Sequence, residues 1–123
     1  MADATYQLGV VGAGKMGGAL IRSLIARGAL TANQIIAADL VPAAREALQK
    51  ACPEVTVVAD AAQAVSQSAV VLIAVKPQDF ETALAPAVSA QPSGQLVVSI
   101  MAGVPIARIA KLFGADAPIL RVM

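Results

Sequence analysis

One feature constrains the fold of this chain more than any other. The glycine-rich turn Gly12-Ala13-Gly14-Lys15-Met16-Gly17 stands between a short apolar run, Leu8-Gly9-Val10-Val11, and a segment with helical apolar spacing. The run reads as a buried strand. The segment reads as a helix from Lys15 to Arg27, with Met16, Leu20, Ile21, Leu24 and Ile25 on one face and Gly28 as its stop. A G-x-G-x-x-G spacing alone is a weak signal in a chain rich in Ala and Gly. Here it follows a strand, opens a helix, and is followed about 20 residues on by an acid, Asp39, ending the next strand. Each glycine has its own reason. Gly12 permits the tight turn, Gly14 lets a pyrophosphate approach the backbone, and Gly17 lets the helix pack on the sheet. The helix start then offers free N–H groups and partial positive charge to phosphates. The pattern implies a dinucleotide ligand.

The rest of the chain repeats the alternation. Strands are expected at Ile35–Ala38, Val55–Val58, Val70–Val75, Leu96–Ile100 and Ile119–Val122. Val70–Val75 is the strongest, β-branched at four of its six positions. Helices are expected from Ala43 to Lys50 behind Pro42, from Ala61 to Ser66 capped by Asp60, and from Asp79 to Ala85 closed by Pro86. A last helix runs from Pro105 to Phe113 with Ile106, Ile109 and Leu112 inward. Strands separated by helical crossovers predict an α/β, Rossmann-type, doubly wound parallel sheet of about six strands. Residues 1–123 are read as one NAD(P)-binding domain.

Composition narrows the partners. Apolar residues make up 58% of the chain, but the longest unbroken apolar run, Ala69 to Val75, is far shorter than the ~20 residues of a spanning helix. No secretory signal is legible in Met1-Ala2-Asp3-Ala4, and the lone Cys52 has no internal disulfide partner, so the cytoplasm is the expected compartment. With a net charge of +1, scattered Lys and Arg, and only Tyr6, Phe80 and Phe113 as aromatics, a nucleic-acid partner is not expected. There is no His and no metal-ligand spacing, so neither a metal site nor a catalytic residue is assigned.

A P-loop is excluded, because no G-x-x-x-x-G-K-[ST] occurs. A methyltransferase, which also sets a glycine turn after its first strand and an acid after its second, stays open at this level. Asp39 bears on the cofactor. A carboxylate there suits both ribose hydroxyls and repels a 2′-phosphate. Against this, Arg45 in the following helix is placed to reach a 2′-phosphate, but it is read as a solvated side chain, and the balance leans slightly to NAD(H).

Four segments together carry a resemblance: Gly12-Ala13-Gly14-Lys15-Met16-Gly17-Gly18-Ala19, Ala74-Val75-Lys76-Pro77-Gln78, Val98-Ser99-Ile100-Met101-Ala102-Gly103-Val104 and Leu120-Arg121-Val122-Met123. In order and spacing the chain resembles the N-terminal half of pyrroline-5-carboxylate reductase from about Leu8 to Met123. The resemblance implies NAD(P)H as cofactor, with Gly12, Gly14, Lys15, Met16, Gly17 and Asp39 at its pyrophosphate and adenosine end. It places Ala74, Val75, Lys76 and Pro77 toward the ribose and nicotinamide, and Ala102 and Gly103 beside the nicotinamide. The implied reaction is reduction of 1-pyrroline-5-carboxylate to proline in proline biosynthesis.

The sequence departs from the family at three places. Ala61 stands where members often carry Asn, Ala69 where Asp is usual, and Asp39 where NADPH-preferring members tend to show a small polar residue plus Arg. Members continue past R-V-M into a Pro-Asn-Thr-Pro loop and a helical domain that forms the homo-oligomer and most of the substrate site. The chain is therefore expected to bind cofactor but not to turn over alone, and to leave apolar surface near its last strand. A related imine or hydroxyacid reductase and a non-catalytic NAD(P) sensor remain as alternatives.

Overall fold

The computed structural model describes residues 5–122; Met1-Ala2-Asp3-Ala4 and Met123, the last residue of the fourth motif, lie outside them. Six strands form one parallel sheet: β1 (Tyr6–Val11), β2 (Ile35–Ala38), β3 (Thr56–Val58), β4 (Ser68–Ile73), β5 (Leu96–Ser99) and β6 (Ile119–Arg121). Five α-helices connect them: α1 (Lys15–Ala26), α2 (Pro42–Ala51), α3 (Ala61–Ser66), α4 (Phe80–Leu84) and α5 (Ile106–Phe113). The spatial order is β3-β2-β1-β4-β5-β6, so the chain winds outward from β1 in one direction and then from β4 in the other. That reversal leaves a crevice between β1 and β4 at the carboxyl edge, where ligands bind in sheets of this kind.

The helices divide between the two faces, as the alternating crossovers require. On one face Ile21 of α1 and Leu48 of α2 pack against Leu8, Val10, Ile35, Ala37 and Leu72. On the other, Val65 of α3, Phe80 and Leu84 of α4, and Ile109 and Phe113 of α5 pack against Val11, Val71, Ile73 and Val97. Each fully buried side chain of this size contributes about 1.5–3 kcal/mol through removal of apolar surface from water.

Local chemistry sets the element ends. Gly28, at φ +74°, closes α1 with its N–H on the Ile25 carbonyl, while Ala29 N–H reaches back to Leu24. These are the two bonds of a Schellman ending. The Asp60 carboxylate accepts Ala62 N–H at 2.9 Å and caps α3.

Two expectations are corrected. Met16 is 62% exposed, because it sits on the first turn of α1, above the sheet edge rather than over its face. Ile106 is likewise exposed at the start of α5, so of the three residues expected inward only Ile109 and, in part, Leu112 are, while Phe113 is buried with them. The α-helix expected to close at Pro86 does end there, at Leu84. The chain tightens into a 3-10 segment over Ala85–Ala90, since a proline in a first turn gives up only an N–H that is unpaired anyway.

The sheet is unequally covered. Leu72, Val98 and Leu120 lie in register across β4, β5 and β6. Leu72 is buried, Val98 half-buried and Leu120 51% exposed. The apolar surface expected near the last strand is present there, with Val122 also exposed. No helix among the described residues is long and apolar enough to cross a membrane.

Candidate functional site: the carboxyl edge at the β1/β4 crevice

The glycine turn leaves β1 at Val11 and enters α1 at Lys15. Gly12 adopts φ +104° and donates its N–H to the Ala38 carbonyl of β2 at 2.8 Å. A Cβ there would stand 2.8 Å from the Ala74 carbonyl and the Val75 nitrogen, so both conformation and space demand glycine. A Cβ on Gly17 would collide with the Gly12 carbonyl oxygen, and α1 sits this close to the turn only because none is there. Gly14 is different in kind. It has an ordinary φ of −74°, and nothing lies within 4 Å of where its Cβ would be. Its missing side chain serves no contact within the protein and leaves open space in front of the helix start.

That helix start is prepared for an anion. Gly14 is the N-cap of α1, no side chain caps the helix, and its first turn carries no acid. The first N–H groups therefore face the open space with the positive end of the helix dipole behind them. These features fit the pyrophosphate of a dinucleotide.

Asp39 ends β2 and clasps the turn. Its Oδ2 accepts the Ala13 N–H at 2.8 Å, and its Oδ1 accepts the Val41 N–H, also at 2.8 Å. The carboxylate is thereby held in one orientation beside the turn, with lone pairs left for ribose hydroxyls. Arg45 is not the freely solvated side chain that the sequence suggests. It is half-buried and donates from Nη1 to the Asp39 carbonyl at 2.9 Å, which brings a fixed positive charge to the end of β2.

The other candidate residues reach the same edge through register. Val11 pairs with Ile73, and Ala74 donates its N–H to the Val11 carbonyl at 2.9 Å, so residues 74–77 leave the sheet directly beside Gly12. Lys76 is exposed and leads into a 3-10 turn begun by Pro77. Ile100 N–H bonds the Ile73 carbonyl, which sets the end of β5 next to that of β4. Ala102 and Gly103 follow as an exposed bend, with Gly103 at φ +74°. Buried Ser99 steadies this bend by accepting Met101 N–H on its hydroxyl, while its carbonyl takes Val122 N–H from beyond β6. The structure thus gathers Gly12, Gly14, Lys15, Met16, Gly17, Asp39, Ala74, Val75, Lys76, Pro77, Ala102 and Gly103 at the ends of four adjacent strands.

Sequence reasoning missed two features beside this group. Gly18 lies outside the fingerprint, yet it is buried, and a Cβ there would stand 3.4 Å from Nη1 of Arg22. Arg22 folds back over Gly18 toward the start of α1. With Ala13, Gly14, Lys15 and Gly18 it lines a cleft of about 280 Å³, closed on its far side by Ala44, Ala47 and Leu48 of α2. The i, i+3, i+7 spacing of Lys15, Gly18 and Arg22 would have placed them on one helix stripe.

A parallel sheet with this strand order, a glycine turn at its switch point and an acid at the end of β2 defines a dinucleotide-binding domain of the Rossmann type. The family model for NADP oxidoreductase, coenzyme F420-dependent, matches residues 7–103, and the chain belongs to that family. It is 39% identical over 119 residues to the pyrroline-5-carboxylate reductase of Synechocystis sp., covering 97% of this chain and 43% of that protein. It is 38% identical over 123 residues to the pyrroline-5-carboxylate reductase of Pseudomonas aeruginosa, with the same coverage of each. Among solved structures it is similar to a pyrroline-5-carboxylate reductase from Coxiella burnetii, at a TM-score of 0.88 and 26% identity, over 97% of this chain and 44% of that one. The chain therefore spans about two fifths of the length of the curated relatives it matches.

Proposed function

We propose that the chain is the cofactor-binding part of a pyrroline-5-carboxylate reductase, with NAD(P)H lying along the carboxyl edge of the sheet. One observation carries the reading. The glycine turn, residues 74–77 and the bend at 102–103 meet at the β1/β4 crevice, in a chain 39% identical to a reductase of that name.

Each group has a role that its surroundings support. The free N–H groups at the start of α1, at Lys15, Met16 and Gly17, hold the pyrophosphate, which Gly12 and Gly14 admit to the backbone. Asp39 accepts ribose hydroxyls with the lone pairs that Ala13 and Val41 leave free. The backbone of Ala74, Val75, Lys76 and Pro77 borders the nicotinamide half, and Ala102 and Gly103 leave its ring face open to a substrate. When bound, NAD(P)H supplies a hydride to the C=N carbon of 1-pyrroline-5-carboxylate, and the nitrogen takes a proton to give proline. The residues of this chain bind and orient; none of them is assigned a proton transfer. The substrate carboxylate site and the homo-oligomer contacts belong to the rest of an intact enzyme. A reducing cytoplasm suits the buried free thiol of Cys52.

Titration with NADH, read by nicotinamide fluorescence, tests the reading. Saturable binding that is abolished in Gly14→Val supports it, and no binding by the wild-type chain overturns it. Turnover of 1-pyrroline-5-carboxylate by these 123 residues at the rate of an intact reductase would refute the division of labour.

A further inference from the structure

Asp39 taken alone disfavours a cofactor with a 2′-phosphate, yet the charge around it is not negative. Lys15 and Arg22 line the α1/α2 cleft, and Arg45 is bonded to the Asp39 carbonyl. No acidic side chain lines the cleft. Neither Lys15 nor Arg22 is engaged in any hydrogen bond or ion pair among the described residues. The Asp39 carboxylate is meanwhile hydrogen-bonded by two backbone N–H groups. Three cations against one carboxylate leave the neighbourhood positive.

The cleft also has a definite size and position. At about 280 Å³ it falls just under the ~300–1,000 Å³ typical of pockets for whole drug-sized ligands, so it suits a substituent rather than a second nucleotide. Ala13 forms its wall and is the residue whose N–H the Asp39 carboxylate accepts. A ribose bonded to Asp39 therefore has its 2′-position beside the cleft. Arg22 extends along α1 over Gly18, its Nη1 lying 3.4 Å from where a Cβ of Gly18 would stand.

We propose that the α1/α2 cleft is a seat for a phosphate monoester, with Arg22 as its main ligand and Lys15 beside it, and that it admits the 2′-phosphate of NADPH despite Asp39. The assignment rests on the dinucleotide reading of the β1/β4 crevice. A guanidinium offers paired donors to phosphate oxygens, and such charge-assisted bonds are about twice as strong as neutral ones. Arg22 thus acts as a specificity-determining residue, and the sequence reading, which weighed Asp39 against Arg45 alone, left it out.

The test compares the wild-type chain with Arg22→Ala and Arg22→Lys, titrated with NADH and NADPH. The expected result is binding of both by wild type. Arg22→Ala should lose about tenfold in affinity for NADPH, the low end for a charged hydrogen bond at an exposed site, with NADH changed less than twofold. Arg22→Lys should recover part of the loss. In competition, 2′,5′-ADP should displace NADPH better than 5′-ADP from wild type but not from Arg22→Ala. Equal effects of Arg22→Ala on both cofactors, or none on either, would overturn the proposal while leaving the dinucleotide site standing. Displacement of both cofactors by inorganic phosphate alone, with NADPH and NADH bound equally by Arg22→Ala and wild type, would assign the cleft to free phosphate and also overturn it. Failure of wild type to bind either cofactor would overturn the dinucleotide reading itself.

Discussion

Gly14 and Gly17 belong to one motif but do opposite work, and a matched pair of substitutions separates the two roles. Gly14→Val puts a branched side chain into open space at a residue whose φ is negative and backbone extended. The cost to stability is then only that of a poorer N-cap, about 0.5–1 kcal/mol. The same side chain fills the approach to the free N–H groups of α1, and the expected loss of NADH affinity is at least about 100-fold, or ~2.7 kcal/mol. Gly17→Ala is the reverse case. Alanine gains about 1 kcal/mol in helix propensity. Its Cβ, however, collides with the Gly12 carbonyl oxygen and stands 3.0 Å from the Gly12 carbonyl carbon, neither of which can rotate away. Relief requires α1 to move off the turn, an overpacking cost of about 3 kcal/mol. A net loss of about 2 kcal/mol lowers Tm by about 6–10 °C in a domain of this size. Thermal unfolding by circular dichroism and fluorescence titration with NADH read the two effects separately. A Gly14→Val variant that binds within twofold of wild type, or a Gly17→Ala variant with unchanged Tm, would refute the reasoning.

Three further outcomes follow from specific contacts. Asp39→Ala strips the acceptors from Ala13 and Val41 N–H, and we expect a stability loss of about 1–2 kcal/mol in urea unfolding together with weaker NADH binding. Gly9→Ala, in the middle of β1, would place a Cβ 2.5 Å from the Ser68 hydroxyl and 2.7 Å from the Ala64 carbonyl, so it should destabilise by about 2 kcal/mol or more with no direct effect on the cofactor site. Gln95→Leu should lower stability by about 2–4 kcal/mol, because the buried Nε2 donates at 2.8 Å to the carbonyls of both Val65 and Ser68; an unchanged urea midpoint would show that water replaces it.

Much of this molecule was legible in its sequence. Each strand core is a short apolar run and each helix start carries a local signal, whether a glycine turn, a proline or Asp60, so element order and parallel winding follow from nearby residues. The glycine fingerprint and Asp39 were legible for the same reason, since their spacing is set by one βα unit and the strand after it. What the sequence left open depends on contacts between distant residues. The exposure of Met16 and Ile106 follows from where the first turns of α1 and α5 stand relative to the sheet edge, which helical periodicity does not encode. The need for glycine at position 9 comes from Ser68 and Ala64, more than fifty residues later. The clasp of Asp39 on Ala13, the approach of Arg45 and the cleft under Arg22 all arise where β1, β2, α1 and α2 converge. Local chemistry determined that this chain makes a glycine-rich turn from strand to helix at the edge of a parallel sheet. Tertiary packing alone decided which charges surround that turn, because only the assembled sheet brings the ends of separate strands within hydrogen-bonding distance.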